Sequence, residues 1–163
     1  MATAGKHLSA YDPESIPNGA DFKIGIVVSE WNDNITNNLC EGAEQALIAN
    51  GVKAENILIH RTPGSFELPL GAQWMLQRND IDGVVAIGSV IQGETKHFDF
   101  VCQATAQGVK DVGLKYDKPA IFCVLTDNNM QQAIDRSGGK HGNKGVEAAL
   151  ACLKMIDLKK NLK

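Results

Sequence analysis

The chain has 163 residues, of which 44% are hydrophobic and 21% charged, and this balance predicts one globular domain that can bury a single core. The net charge of −3 gives no basic surface for nucleic acid, and no apolar run approaches the ~18 residues of a membrane span. We therefore expect no nucleic-acid or membrane partner and, because the N-terminus lacks the apolar stretch of a signal peptide, a cytoplasmic location.

Residues 1–21 contain prolines and glycines but no periodic apolar pattern, so they are predicted to form an N-terminal arm ahead of a single domain over residues 22–163. The four cysteines lie in apolar or helical surroundings, without the CxxC spacing of a zinc site. They are expected to be buried free thiols, and no metal site is predicted.

Apolar runs and amphipathic stretches alternate from residue 22 onward. The apolar runs, rich in β-branched residues, predict four strands at 22–29, 56–62, 83–91 and 120–126. The amphipathic stretches predict helices over about 35–50, 69–79, 96–116, 129–137 and 143–162. Asn32–Asn34 are expected to cap the first helix, which Gly51 ends, and Pro69 suits the first turn of the second helix.

This order of elements predicts an α/β fold, a flavodoxin-like three-layer sandwich with a four-stranded parallel sheet flanked by helices on both faces. The third run is apolar throughout, so that strand is expected to be central. Ligands of such sheets bind beyond the carboxyl ends of the strands. The residues that follow each strand are therefore the candidates for a functional site.

The first two strand ends offer an aromatic ring and a carboxylate. Trp31 follows the first strand, where its flat face suits an aromatic ligand, although on position alone packing in the core or in an interface is the commoner role. Pro63-Gly64 follow the second strand and form a turn that aims the Glu67 carboxylate toward the crevice. An ordinary strand–helix turn remains the alternative there.

The third strand end carries the most chemical information. Gly93 lets the backbone approach a ligand, and the free N–H groups at the start of the next helix form an anion site beside Thr95 and Lys96. His97 is the only histidine at a helix start over the crevice, where an imidazole can transfer protons near neutral pH. A histidine that is merely solvated is the competing interpretation.

Beyond the fourth strand, Arg136 and Lys140 place two cations among glycines, a pattern that suits phosphate oxygens but also occurs on ordinary charged surfaces. Together the four ends predict a pocket for a flat, polar heterocycle and a phosphorylated second ligand. A flavin-mononucleotide carrier is disfavoured because residues 29–34 lack glycine, and a phospho-acceptor domain because the third strand ends in Val90-Ile91. No GxSxG elbow of a serine hydrolase is present.

The same strand ends resemble the lumazine synthase family in four linked motifs. These are Trp31-Asn32 with Ile35-Thr36, residues 63–69 (PGSFELP), residues 88–101 (GSVIQGETKHFDFV) and residues 136–145 (RSGGKHGNKG). The match runs from about Phe22 to Leu158, in order and with natural spacing. Four linked motifs are far more specific than any one of them alone.

The resemblance implies a role for each matching residue. His97 would be the general acid and base, and Trp31, in place of the family's commoner phenylalanine, would stack on a pyrimidine ring. The other implied substrate-binding residues are Gly64, Ser65, Phe66 and Glu67, of which Ser65 and Glu67 hold a ribityl chain; Val90 and Ile91 at the pyrimidine edge; Gly93, Glu94 and Thr95 around a phosphate; and Phe122, Arg136 and Lys140 from a neighbouring subunit.

The implied activity is that of a transferase in the penultimate step of riboflavin biosynthesis. It condenses 5-amino-6-(D-ribitylamino)uracil with 3,4-dihydroxy-2-butanone 4-phosphate, without a cofactor, to give 6,7-dimethyl-8-ribityllumazine, phosphate and water. The implied assembly is a homopentamer or an icosahedral shell of twelve pentamers, with riboflavin synthase as a candidate partner. A non-catalytic lumazine- or flavin-binding shell of the same fold stays open, because Trp31 enlarges the stacking surface.

Two positions depart from the family's commoner pattern. Gln92 stands where many members carry arginine or lysine, and Glu94 stands where a small residue is common. The first removes a cation near the phosphate and the second adds an anion. Backbone N–H groups, Lys96 and Arg136 are expected to compensate, so the affinity for phosphate is the property that these departures affect.

Overall fold

A computed structural model describes residues 7–162 of the chain. The strands of the main sheet are β1 (Ile24–Ser29), β2 (Ile57–Thr62), β3 (Gly83–Ile91) and β4 (Ala120–Asp127). A short hairpin of β5 (Ser137–Gly139) and β6 (Gly142–Asn143) follows later in the chain. The helices are α1 (Asp33–Ala49), α2 (Leu68–Leu76), α3 (His97–Tyr116), α4 (Met130–Arg136) and α5 (Lys144–Asn161).

Strands β1 to β4 form one parallel sheet in the order β2-β1-β3-β4. The interior strands β1 and β3 bury their apolar side chains on both faces, as parallel strands covered by helices do. One apolar cluster packs α1, α4 and α5 against the sheet, and a second packs α2 and α3 against the other face. The predicted three-layer α/β sandwich is therefore confirmed, including the interior position of the third strand.

The predicted elements are all present, with small shifts at their ends. The first strand begins at Ile24 instead of residue 22. The second helix begins at Leu68 and ends at Leu76, earlier than the predicted end at about residue 79, and a 3-10 turn at Ser65–Glu67 precedes it. The hairpin between α4 and α5 is not foreseen from the sequence, because its glycine-rich residues have no strand pattern.

The cysteines are free thiols, and three of the four are buried as expected. Burial raises the pKa of the Cys123 and Cys152 thiols to about 12, so both stay protonated and pack as small apolar groups. Cys102 is only half-buried, which corrects the expectation that all four lie in the core.

The expected helix cap at Asn32 is wrong. Asn32 occupies the N-cap position of α1, but its backbone is left-handed, with φ 56°, and its side chain makes no capping hydrogen bond. Instead, Asn32 Nδ2 donates to the carbonyl oxygen of Ser89 in β3 at 2.9 Å. The side chain therefore joins the ends of β1 and β3, directly beside Trp31.

The first six residues of the predicted N-terminal arm lie outside the described residues. From residue 7 onward the arm contacts the β5–β6 hairpin, where Leu8 N donates to His141 O at 2.8 Å and Ser9 Oγ accepts from Asn143 N at 2.9 Å. Phe22 is 3% exposed and belongs to the core. The division into an arm and a domain at residue 22 stays a prediction.

Asn143 fixes the start of α5, which makes it a suitable test of the packing between α5 and α1. Its Oδ1 accepts from Gly145 N at 2.8 Å, and its Nδ2 donates to the carbonyl oxygen of Asn38 in α1 at 2.8 Å. We expect Asn143→Ala to lower the free energy of unfolding by about 1–2 kcal/mol, because it removes a helix cap and an interhelical hydrogen bond. Denaturant titration measures this loss. Asn161→Ala, which loses only an exposed bond to Asp157, should change it by less than about 0.5 kcal/mol.

Candidate active site

Hydrogen bonds tie the carboxyl ends of the four parallel strands together. They run from Glu30 N to Thr62 O, from Asn32 Nδ2 to Ser89 O and from Gln92 N to Asp127 O, each at 2.9 Å. In the order of the sheet, these bonds connect β2 to β1, β1 to β3 and β3 to β4. Residues that follow four separate strands in the sequence therefore share one edge of the sheet, where ligands of such folds bind.

The aromatic ring and the carboxylate lie together around Gly64. A Cβ atom on Gly64 would lie 3.0 Å from Glu67 Oε2 and 3.6 Å from Trp31 Cδ1. The Trp31 side chain is 73% exposed, and Phe66 in the same turn as Glu67 is 59% exposed. Because Trp31 is not packed in the core of the chain, its ring face is available to a ligand or to another subunit.

Ser65 holds the turn after β2 against the rest of the domain. Its carbonyl oxygen accepts from Thr105 Oγ1 in α3 at 3.0 Å, and a Cβ on Gly88 in β3 would lie 2.6 Å from Ser65 Oγ. Glycine at position 88 is thus what allows the turn to approach β3 this closely. Among the described residues Ser65 Oγ has no hydrogen-bond partner although it is buried, which points to a ligand or an ordered water as its partner.

The segment between β3 and α3 is an open loop that ends at a long helix. Gly93 has no heavy atom within 4 Å of the position of a Cβ, so a ligand can reach its backbone. Thr95 Oγ1 accepts from the backbone N–H of His97 at 3.4 Å, and the side chain at the N-cap position, Lys96, makes no capping bond. Asp99 N donates to Lys96 O at 3.1 Å, but among the described residues the backbone N–H groups of residues 93–96 and of Phe98 have no partner. These groups can bind an anion next to the exposed His97 side chain.

The last residues of β3 lie beneath this loop. Val90 and Ile91 are half-buried, and they pack against opposite faces of the sheet. Their backbone pairs with Thr126 and Asp127 of β4. Glu94 is exposed, as is Gln92.

Each of the two predicted phosphate-binding cations has a carboxylate partner in the same chain. Arg136 Nη1 donates to Gln132 O at 2.9 Å and lies 3.9 Å from Asp127 Oδ1. Lys140 Nζ lies 3.2 Å from Asp135 Oδ2. A hydrogen bond from Gln131, followed by one from Lys140, lowers the pKa of Asp135, whereas burial raises the pKa of Asp127 against the opposing charge of Arg136.

Phe122 is a predicted site residue that a single chain holds away from the strand ends. It pairs with Ala86 in the sheet, five residues before Asp127 at the end of β4. At the rise of an extended strand, this separation is about 16 Å. Phe122 is 37% exposed on an edge strand, so it is available to another molecule but not to the crevice of its own chain.

The sequence assigns the wrong role to one residue of this edge and no role to another. Asn32 bridges two strands instead of capping a helix, and Asp127 is a buried carboxylate beside Arg136. The acidic residue that ends an otherwise apolar strand is the only signal that marks Asp127. Within residues 7–162, no helix is both long and apolar enough to cross a membrane, and no three metal-binding side chains cluster together.

Comparison with known proteins gives the family. The sequence matches the 6,7-dimethyl-8-ribityllumazine synthase family over residues 21–160. The chain belongs to this family. The resemblance predicted from the four motifs is therefore confirmed, and so is the expectation that the chain is an enzyme of the lumazine synthase type.

Individual lumazine synthases match almost the whole chain. The 6,7-dimethyl-8-ribityllumazine synthase of Flavobacterium johnsoniae is 62% identical over 95% of this chain and 82% of its own length. That of Christiangramia forsetii is 58% identical over 100% of this chain and 98% of its own. That of Parabacteroides distasonis is 50% identical over 96% of this chain and 98% of its own. The alternative of a non-catalytic shell protein is not favoured, since these relatives all bear the name of the enzyme.

Proposed function

We propose that the chain condenses 5-amino-6-(D-ribitylamino)uracil with 3,4-dihydroxy-2-butanone 4-phosphate to form 6,7-dimethyl-8-ribityllumazine. The observation that carries this proposal is the hydrogen-bonded convergence of four motif-bearing strand ends on one edge of the sheet, in a chain of this family. The free thiols of the chain suit a reducing compartment, so we place the reaction in the cytoplasm.

The pyrimidine occupies the crevice over β1 and β3. Trp31 stacks on the ring, since its exposed face is the largest flat surface beside Gly64. The backbone groups of Val90 and Ile91 bind the pyrimidine edge. Ser65 and Glu67 hold the hydroxyls of the ribityl chain, which gives the buried Ser65 Oγ a partner.

The sugar phosphate binds at the start of α3. The backbone of Gly93–Thr95 and the helix N-terminus receive the phosphate, and Arg136 of a neighbouring subunit adds a guanidinium. Glu94 places an extra anion in this loop, and its exposure lets the carboxylate point into solvent.

The chemistry is a condensation with two losses of water and one of phosphate. The 5-amino group attacks the ketone, and the resulting carbinolamine loses water to form an imine. Phosphate is then eliminated, the enol produced tautomerises to a second ketone, and the ribitylamino nitrogen attacks this carbonyl. Loss of the second water closes the ring. His97 moves protons to and from nitrogen and oxygen in these steps, and the remaining acceleration comes from holding the two substrates together.

The site is completed by two chains, so the active form is an oligomer. Phe122, Arg136 and Lys140 enter the pocket of the neighbouring subunit, which explains why Phe122 lies far from the strand ends of its own chain. Apolar side chains left exposed on α2 and α3 fit an intersubunit surface: Leu70, Trp74, Phe100 and Leu114.

The proposed oligomer is a pentamer, and the short connection between α4 and α5 favours closure of twelve pentamers into a shell. In that assembly the N-terminal arm adds to a neighbouring sheet edge, and riboflavin synthase is the candidate occupant of the shell. Light scattering distinguishes the sizes. A monomeric particle at assay concentrations would contradict the shared site.

Gly93→Ala tests the phosphate loop without disturbing the fold. The position has open space for a Cβ, so thermal unfolding should be unchanged. A methyl group over the loop nonetheless blocks close approach of the phosphate, and we expect the KM for the sugar phosphate to rise about tenfold, the effect of losing one or two hydrogen bonds to a charged group. The KM for the pyrimidine serves as the internal control. Equal KM values for the sugar phosphate in variant and wild type would place the phosphate elsewhere.

The proposed function itself is tested by incubating the purified protein with both substrates and following the absorbance of the lumazine product, with phosphate release measured in parallel. We expect equal amounts of lumazine and phosphate. Binding of the pyrimidine without either product would instead support the non-catalytic shell protein.

A further inference from the structure

Asp127 is a buried carboxylate at the end of β4, and the proposed function assigns it no contact with either substrate. Its side chain is 8% exposed, and among the described residues its Oδ2 has no hydrogen-bond partner. Its backbone oxygen accepts from Gln92 N at 2.9 Å, which ties the residue to the start of the loop that carries Gly93 and Thr95. Because burial of an ionised carboxylate is costly, its position calls for a compensating cation.

That cation is Arg136. Its Nη1 lies 3.9 Å from Asp127 Oδ1 and donates to the carbonyl oxygen of Gln132 at 2.9 Å. The Nη1 nitrogen is thus held by the Asp127 carboxylate and by the Gln132 carbonyl oxygen. Within residues 7–162 no hydrogen bond from its other two nitrogens is present, and 36% of the side chain is exposed.

This arrangement orients the guanidinium and leaves its other N–H groups free to donate hydrogen bonds. The distance of 3.9 Å is too long for a hydrogen bond, so Asp127 attracts Arg136 without occupying its N–H groups. The two nitrogens that remain free can form the bidentate contact that arginine makes with phosphate oxygens. A guanidinium fixed in advance loses less side-chain entropy when the phosphate binds.

We infer that Asp127 is a positioning residue that holds the Arg136 guanidinium in the orientation in which it binds the substrate phosphate. The inference rests on the proposed function, in which Arg136 completes the phosphate site of the neighbouring subunit. Asp127 does not touch the substrate. It acts only through Arg136, and it therefore affects the sugar phosphate but not the pyrimidine.

The test is a double-mutant cycle in steady-state kinetics with both substrates. Asp127→Asn keeps the shape of the side chain and removes its charge, and we expect a rise of about three- to tenfold in the KM for the sugar phosphate, the range of one lost electrostatic interaction near a partly buried site. The KM for the pyrimidine and kcat should stay unchanged. In an Arg136→Gln background, where the KM for the sugar phosphate is already raised, Asp127→Asn should add nothing further.

Asp80→Asn is the matched control. The Asp80 carboxylate lies 3.0 Å from Arg78 and 2.7 Å from Lys23, and hydrogen bonds from Arg78 and then Lys23 hold its pKa well below its usual range. It lies at the opposite edge of the sheet, before β3 begins. Loss of these two ion pairs should alter neither KM.

Several results would overturn the inference: an unchanged or lowered KM for the sugar phosphate in Asp127→Asn, a parallel change in both KM values, or a further rise in the Arg136→Gln background. Asp127→Ser is measured alongside, and failure of both variants to fold would assign Asp127 a structural role only. The proposed function fails separately, when the wild-type chain makes no lumazine. As an independent readout, inorganic phosphate should protect the wild type against thermal unfolding, and Asp127→Asn should need about three- to tenfold more phosphate for the same protection.

Discussion

Replacing His97 with alanine is expected to lower kcat by about 10²–10⁴-fold, the usual contribution of a positioned general acid and base, with little change in either KM. His97 is the first residue of α3, and its backbone N–H bonds to Thr95 of the proposed phosphate loop. A residual rate above the uncatalysed reaction should persist, because amine and ketone react readily once they are held together. Steady-state measurement of lumazine formation gives both parameters.

Two further variants separate proton transfer from packing. His97→Gln keeps a polar side chain that does not exchange protons, so its kcat should fall as far as that of the alanine variant. His60→Ala removes an exposed histidine of β2 that has no proposed role, and its kcat should match the wild type. Total loss of turnover in His97→Ala with both substrates still bound would contradict the dominance of positioning, and an unchanged kcat would remove His97 from the reaction.

Trp31→Ala is expected to raise the KM for the pyrimidine about 10–100-fold, because the variant loses both the apolar contact area and the stacking of one aromatic ring on another. Trp31 is 73% exposed in the single chain, so its removal leaves no cavity and should not change stability. Trp31→Phe retains a ring face and should stay within about threefold of the wild type. The KM for the sugar phosphate should be unaffected in both variants.

Tryptophan fluorescence measures the same contact directly. The chain has two tryptophans, and the other is Trp74, which is 61% exposed on α2. In a Trp74→Phe background the signal comes from Trp31 alone, and pyrimidine binding should quench it in a saturable manner. Emission that does not change while the pyrimidine binds would show that Trp31 does not form the platform.

The architecture could be predicted from the sequence because its signals are local. Apolar runs of β-branched residues mark β3 and β4 almost residue by residue, and glycine or proline marks most of the boundaries. The ends of α2 and the β5–β6 hairpin could not be placed in this way. Their bounds are set by backbone hydrogen bonds and packing that a pattern along one chain does not contain.

The sequence predicts which residues meet at the candidate site, but it does not predict which side chains contact one another there. The strand-end rule brings Trp31 and His97 to one edge of the sheet, and the family motifs assign them roles. Asn32 shows why contacts are hard to predict from the sequence. Its side chain could cap α1 or bind another strand, and the residue that it contacts, Ser89, is 57 residues away. No role for Asp127 follows from the sequence for the same reason, because the function of this buried carboxylate depends on the Arg136 side chain beside it.

If one pocket draws its residues from two chains, as we propose, two variants that are each impaired in a different chain's contribution should complement one another in a mixed oligomer. His97→Ala and Arg136→Ala chains are unfolded together, refolded as mixed oligomers and assayed at a sugar phosphate concentration far below the KM of the Arg136 variant. Random mixing in a symmetric ring gives about a quarter of the sites an intact His97 and an intact neighbouring Arg136, so about a quarter of wild-type activity should return. Mixed oligomers with no more activity than the two variants refolded separately would contradict the shared site.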